Sequence, residues 1–204
     1  AKTVPSITVG LRGMMCFQID VTTANGDLHS GTCGGAVPNP IQVLADLISR
    51  CKDRATGKVK IPGFYADVKR LSASRRQALT KSPPSTVAFK KEIGAHQLFG
   101  EQGRSIREQI GTRPTFEVNG IWGGFSGEGM KTVLPATAHA KVSMRLVPDQ
   151  NPKSLEKLFR KHIKALSPRY AKVEVTTVQS HAEAVSFDPH GPVFKLASDA
   201  VTQT

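Results

Sequence analysis

Two different spacings of hydrophobic residues follow one another in the first quarter of the chain. From Met14 to Thr23 apolar and polar residues alternate, and the apolar members are Met15, Phe17, Ile19 and Val21. This period of two predicts a strand with one buried face. A glycine-rich loop that carries His29 follows, and from Asn39-Pro40 apolar residues recur at helical spacing as far as Cys51. The loop histidine therefore lies between two rigid elements, which suits a binding or catalytic side chain.

The same patterns return in the second half of the chain. Further strands are predicted over Thr115–Ile121, Ala136–Val147 and Lys172–Val178, and a second helix begins at Asn151-Pro152. The order strand, helix, strand, strand, helix, strand is the split βαβ repeat of ferredoxin-like folds. Because each strand has a single apolar face, both helices should cover one side of the sheet and leave a polar side open. We predict an α+β, two-layer sandwich: a ferredoxin-like, four-stranded antiparallel sheet with two helices on one face, plus a helical insertion.

A strongly basic insertion interrupts the repeat between residues 54 and 113. The chain has a net charge of +12, and 15 Lys and Arg against 5 Asp and Glu lie between Arg50 and Arg113. Such an excess invites a nucleic-acid partner, and the simpler explanation is a solvated, lysine-rich insertion. Within the insertion we predict three short helices, over Ser72–Lys81, Ser85–Ile93 and Arg104–Ile110.

The two ends of the chain fall outside the repeat. A lead-in strand is predicted over Val4–Leu11, and the tail, helical over Val193–Val201, has no partner in the sandwich. We therefore divide the chain into a lead-in segment (1–13), a main domain (14–180) and the start of a further domain (181–204). This division is what we expect of a piece excised from a longer protein, in which both ends return to another domain.

Composition excludes several classes of protein. With 39% hydrophobic and 22% charged residues, the chain is globular. No apolar run approaches the roughly 20 residues that span a bilayer, so no membrane partner is expected. The three cysteines include no CxxC pair, which argues against a disulfide framework or a zinc cage and fits a reducing, cytoplasmic location.

Signatures of metal and nucleophile sites are missing. The six histidines are scattered, and the sequence contains no His-x-Asp, no adjacent Glu pair and no G-x-S-x-G elbow. We therefore predict that this chain holds no metal. The nucleic-acid interpretation is also weak, because sheets that bind RNA stack bases on aromatic side chains of their central strands. The predicted central strand has no aromatic residue between positions 138 and 145.

Three polar side chains remain as candidates for chemistry. Arg145, on the open face of the sheet, is a natural clamp for a carboxylate. His29 can stabilise a developing oxyanion, and Thr132 lies at the end of a loop. Each also has a simpler explanation: a solubilising arginine, a solvated histidine and a hydroxyl at the start of a strand. The residues alone leave both explanations open.

A series of longer motifs resembles a known family. The motifs are Asp27-Leu28-His29-Ser30-Gly31, Gly34-Gly35-Ala36-Val37-Pro38-Asn39-Pro40, Ile61-Pro62-Gly63-Phe64-Tyr65, Arg113-Pro114-Thr115, Gly120-Ile121-Trp122-Gly123-Gly124, Lys131-Thr132-Val133-Leu134-Pro135 and Met144-Arg145-Leu146-Val147-Pro148. In this order they resemble the lid domain of the carnosinase-like dipeptidases. These enzymes belong to the di-zinc metallopeptidase family that also contains aminoacylase and succinyl-diaminopimelate desuccinylase.

The resemblance implies a role for each candidate residue. His29 would reach across a homodimer to stabilise the tetrahedral intermediate in the partner's active site, Arg145 would hold the terminal carboxylate of the substrate, and Thr132 would contact the substrate. The two zinc ions would lie in a catalytic domain outside this chain. The chain itself would bind no cofactor and should be inactive alone. The full-length protein would hydrolyse a dipeptide or an N-acyl amino acid.

Two competing interpretations remain. The chain could be a basic nucleic-acid-binding domain on a ferredoxin-like scaffold, although we expect no nucleic-acid partner. It could also be a purely structural dimer module in which His29 and Arg145 are incidental. Thr115–Ile121 and Lys172–Val178 are the candidate edge strands for a dimer, and alternation does not choose between them.

Overall fold

The computed structural model describes residues 7–188 and 191–202. The strands are β1 (Gly10–Leu11), β2 (Gly13–Thr22), β3 (Leu28–His29), β4 (Thr115–Gly123), β5 (Val133–Leu134), β6 (Thr137–Leu146), β7 (Lys172–Ala182) and β8 (Val185–Ser186). The helices are α1 (Ser30–Cys33), α2 (Pro40–Ser49), α3 (Ala73–Lys81), α4 (Thr86–Glu92), α5 (Ile106–Gly111), α6 (Pro152–Leu166) and α7 (Pro192–Thr202).

The main sheet has four antiparallel strands in the order β4-β6-β2-β7. The two central strands pair along their full length, from Gly13 opposite Leu146 to Thr22 opposite Thr137. Helices α2 and α6 pack on the same face of this sheet, and β4 and β7 are its edges. The predicted α+β sandwich and its candidate edge strands are therefore confirmed.

The alternating residues build the core between the sheet and the two helices. Every second residue of β2 and of β6 is buried, as the period of two predicted. Phe159 of α6 lies at the centre, with ring centroids 4.9 Å from Phe17 and 6.2 Å from Phe116. Burial of these large apolar side chains supplies the main driving force for the sandwich.

Both core helices begin where the Asn-Pro pairs predicted. The side-chain oxygen of Asn39 accepts a hydrogen bond from the backbone N–H of Ile41 at 2.9 Å. That of Asn151 accepts from the N–H of Ser154 at 3.0 Å. Each asparagine satisfies a donor that the first turn leaves free, and the following proline already has a helical φ.

The insertion forms its three predicted helices, but its charges are not all solvated. Glu108 is buried and accepts hydrogen bonds from Arg76 at 2.8 Å and Arg104 at 3.2 Å. Burial alone would raise the pKa of Glu108, but the backbone N–H of Ser105 and the two guanidinium groups lower it below its usual value. A buried carboxylate between two arginines therefore joins α3 to α5 within the insertion.

The ends of the chain differ from the prediction in extent. The lead-in strand is limited to Gly10–Leu11, and residues 4–6 of the predicted Val4–Leu11 lie outside the described residues. Strand β7 continues to Ala182, beyond the predicted end at Val178. The tail helix runs over Pro192–Thr202, and positions 189–190 and 203–204 lie outside the described residues.

Candidate functional site

His29 is held at both ring nitrogens. Its Nδ1 accepts a hydrogen bond from the backbone N–H of Gly31 at 3.1 Å, which makes His29 the N-cap of the short turn α1. Its Nε2 lies 3.0 Å from the hydroxyl oxygen of Thr132. Two of the three candidate residues are in direct contact.

The hydrogen bonds fix the tautomer of the neutral imidazole. Because Nδ1 accepts from Gly31, the proton of the neutral ring is on Nε2, and Nε2–H donates to the oxygen of Thr132. The threonine hydroxyl then retains its own proton for another acceptor. The exposed pair therefore has one donor hydrogen, that of the Thr132 hydroxyl, left for an acceptor outside the domain.

A two-residue ladder brings this pair together. In β3 and β5, Leu28 pairs with Leu134 and His29 pairs with Val133. A carboxylate oxygen of Asp27 also accepts a hydrogen bond from the backbone N–H of Ala136 at 2.9 Å. Sequence alternation could not find this contact, because it joins residues more than 100 positions apart in strands too short to show a period.

A glycine allows the turn after His29 to close. A Cβ atom built on Gly34 would lie 2.3 Å from the carbonyl oxygen of Ser30. The backbone N–H of Gly34 donates to that same oxygen at 2.8 Å, so the backbone at Gly34 lies close to the backbone at Ser30. A larger residue at position 34 would push the turn open and move the imidazole.

Arg145 lies at the other end of the sheet. It is exposed at the end of β6, opposite Thr115 on one side and Met14 on the other. In the described part of the chain it makes no ion pair. A strand rises about 3.3 Å per residue, so Thr137, at the His29 end of β6, is about 26 Å from Arg145. A fully extended dipeptide spans about 7 Å, so both groups of one chain cannot contact the same small substrate.

The open face between these ends carries a further polar cluster. A carboxylate oxygen of Asp20 lies 2.5 Å from Nδ1 of His139, whose ring stacks on Trp122 with centroids 5.2 Å apart. The sequence placed His139 on the polar face of β6 but gave no reason to pair it with either residue. Register across three strands brings them together.

Comparison with known proteins identifies the family. A family model described as a peptidase dimerisation domain matches residues 9–171. The chain belongs to this family. The domain is 35% identical over 178 residues to the Cys-Gly metallodipeptidase DUG1 of Candida albicans, a match that covers 85% of this chain and 36% of that protein. It therefore spans about a third of the length of the curated relatives it matches.

Solved structures of the same family share the fold. The M20 family metallo-carboxypeptidase Sso-CP2 from Sulfolobus solfataricus has a TM-score of 0.85 and 30% identity, over 99% of this chain and 51% of that chain. Human carnosine dipeptidase 1 has a TM-score of 0.83 and 25% identity, over 97% of this chain and 42% of that one. The resemblance to carnosinase-like dipeptidases is confirmed, and no comparison supports a nucleic-acid-binding domain.

The dimerisation domain offers no set of metal ligands in the ranges described. Among residues 7–188 and 191–202, no three His, Cys, Asp or Glu side chains converge closely enough to hold an ion. In the same ranges no helix is both long and apolar enough to cross a membrane.

Proposed function

We propose that this dimerisation domain is the lid of a metal-dependent dipeptidase and completes active sites across a homodimer. One subunit would supply His29 and Thr132, and the other would supply Arg145. The proposal is carried by the placement of the two groups at opposite ends of β6: His29 and Thr132 lie beyond its Thr137 end, and Arg145 is about 26 Å from Thr137 at the usual rise of a strand. A single chain cannot bring both to one dipeptide, whereas two chains related by a two-fold axis can place opposite ends of their sheets at each site.

The chemistry of amide hydrolysis suits the His29–Thr132 pair. Negative charge develops on the carbonyl oxygen as the tetrahedral intermediate forms, and donor hydrogens aimed at that oxygen stabilise it. The Thr132 hydroxyl can turn its proton to an oxyanion placed beside the pair, and the Nε2–H of His29, 3.0 Å from the threonine oxygen, would transfer its hydrogen bond from that oxygen to the oxyanion. Divalent metal ions held elsewhere in the full-length protein, two zinc ions in our proposal, would supply the activated water.

The ends of the domain are arranged as in an inserted lid. In the small β1–β8 sheet, Gly10 pairs with Ser186, so the strands that enter and leave the domain lie side by side. Adjacent ends are typical of a domain inserted into another. We therefore propose that 14–180 is the lid, with 54–113 as its enlargement, and that 1–13 and 181–204 connect it to the catalytic domain.

The substrate class and location follow from the relatives and from the cysteines. Two relatives are named Cys-Gly metallodipeptidase and Beta-Ala-His dipeptidase. We propose that the full-length protein likewise cleaves a dipeptide or an N-acyl amino acid. The three cysteines are free thiols, and we propose a cytoplasmic location on this ground.

Subunit mixing tests the proposed function directly. We expect His29→Ala and Arg145→Ala homodimers of the full-length protein each to be nearly inactive on a free dipeptide. Refolded or co-expressed together, half of the dimers are mixed, and each mixed dimer has one site with both residues intact. Activity should therefore recover to about a quarter of the wild-type value. No recovery, with mixed dimers shown by mass spectrometry, would contradict the arrangement in trans.

The edge strand β4 is the proposed dimer surface. Ile121 lies opposite the fully buried Ala140 in the ladder, yet it is 55% exposed. Trp122, Phe125 and Met130 are also exposed at this end, which is the end that carries His29. The other edge strand, β7, is less able to pair with a second sheet, because the guanidinium of Arg160 already donates to the backbone carbonyl of Val175.

A charge introduced into the edge strand that forms the dimer interface should dissociate the dimer. We expect Ile121→Lys to shift the full-length protein from dimer to monomer in light scattering, because a buried lysine without a partner opposes association. Val178→Lys is the matched control, since Val178 is 51% exposed on the opposite edge strand. Dissociation by Val178→Lys but not by Ile121→Lys would show that the dimer interface is formed by β7 and not by β4.

A further inference from the structure

A groove separates the insertion from the open face of the sheet. Its volume is about 650 Å³, within the range of sites that bind small molecules. One wall is the sheet, with Arg145 and Ser143 of β6 and Glu117 of β4, and the other wall is the insertion. The groove therefore begins at the arginine that we propose as the carboxylate clamp.

The positive charges of the groove fall into two groups. Lys52 is neutralised by Glu117 at 3.1 Å, and Arg113 by Glu101 through two hydrogen bonds of 2.7 and 2.8 Å. Arg12 donates only to a backbone carbonyl, that of Arg113 at 3.3 Å, and within the described ranges neither it nor Arg145 has a carboxylate partner at ion-pair distance. These two guanidinium groups remain available to an anion.

Arg12 and Arg145 act on one another electrostatically. The pKa of Arg12 is lowered from its ordinary value, first by burial and then by the positive charge of Arg145, and Glu117 offsets part of this. Two like charges held close together are stabilised when an anion binds to both. A carboxylate fits this position because it can accept hydrogen bonds from two guanidinium groups.

The wall formed by the insertion carries apolar side chains that are exposed to solvent. Phe99 is 63% exposed, Ile93 is 52% exposed and Ile110 is 38% exposed, and all three line the groove. Apolar side chains grouped on one concave surface indicate a binding site for an apolar partner. Glu101 and Glu117 also line the groove, and both are already paired with cations.

We propose that this groove binds the C-terminal residue of the substrate, with its carboxylate between Arg12 and Arg145 and a large apolar side chain against Phe99. The inference rests on the proposed dipeptidase function and extends it to the class of substrate. Dipeptides that end in phenylalanine or leucine fill the groove and remove the exposed apolar wall from water. Dipeptides that end in glycine leave it empty.

The test compares two dipeptides on the full-length, zinc-loaded protein. We expect kcat/KM to be about tenfold higher for Ala-Phe than for Ala-Gly, because an apolar pocket gains affinity with each buried carbon. Phe99→Ala should lower kcat/KM for Ala-Phe about tenfold and change that for Ala-Gly less than twofold. Val87→Ala is the matched control, because Val87 is 78% exposed on the same insertion and does not line the groove.

A second variant tests the carboxylate end of the groove. Arg12→Gln should raise KM for Ala-Phe about tenfold and leave KM for the C-terminal amide of Ala-Phe unchanged. Equal kcat/KM for both dipeptides in the wild type, or equal losses for Phe99→Ala and Val87→Ala, would overturn the inference while leaving the dipeptidase function intact. A wild-type protein that cleaves neither dipeptide would overturn the function and the inference together.

Discussion

Replacing His29 by alanine should lower the turnover of the full-length protein by about 100-fold or more and leave its dimer mass unchanged. The imidazole donates through Nε2–H, and Thr132 is its only partner at that atom within the described residues. Loss of a donor to an oxyanion raises the barrier of the chemical step, so kcat should fall while KM changes little. Steady-state kinetics with a free dipeptide, alongside light scattering, measures both quantities.

A second variant separates chemistry from local folding. His29 is also the N-cap of α1 through Nδ1, so alanine could disturb the turn as well as remove a donor. Asparagine retains a cap acceptor but has a shorter side chain. We expect His29→Asn to remain as slow as His29→Ala. We expect His162→Ala, on α6 at the helix-covered face of the sheet, to leave turnover unchanged. Recovery of turnover in His29→Asn would assign His29 a structural role only.

The hydroxyl of Thr132 should matter less than the imidazole. Thr132→Val keeps the shape of the side chain but removes both its proton and the oxygen that accepts from Nε2 of His29. The imidazole keeps its proton and can still donate to the oxyanion. The two side chains act as a unit, so adding Thr132→Val to His29→Ala should cost little more than His29→Ala alone.

Replacing Arg145 by alanine should lower kcat/KM about 100-fold for free dipeptides and less than threefold for the same dipeptides with a C-terminal amide. A guanidinium–carboxylate pair is a charge-assisted hydrogen bond, and removing one partner of such a pair costs about 2–5 kcal/mol. The amidated dipeptide lacks this negative charge, so the loss of Arg145 removes little of its binding free energy. Paired substrates measured on one preparation give the ratio directly.

A neighbouring cation provides the control for Arg145. Lys141 is exposed on the same face of β6, four positions away, with its Nζ 6.0 Å from the ring centroid of Trp122. Lys141→Ala removes one positive charge from the open face without touching the groove. We expect it to leave kcat/KM for free and amidated dipeptides unchanged. If Arg145→Ala weakened both substrates equally, the clamp role would have to be abandoned.

Much of the sandwich could be predicted because its signals are local. The alternation in β2 and β6, and the Asn-Pro starts of α2 and α6, depend on residues within a few positions of each other. The serine caps of the three insertion helices are equally local. The Glu108 cluster was missed because its arginine Arg76 lies 32 positions away, and no periodic pattern connects the two.

The sequence by itself determined which residues form the sheet, which face of each strand is buried and which side chains were candidates for chemistry. Hydrophobic period and capping chemistry are enough for the elements and their buried faces, since both are set by neighbours along the chain, and the candidates came from side-chain chemistry and the family motifs. Only the tertiary structure decided how the candidates are grouped. Strand pairing joined His29 to Thr132 across 103 positions and carried Arg145 to the far end of β6. Register is a property of the whole sheet, so one sequence segment cannot reveal it.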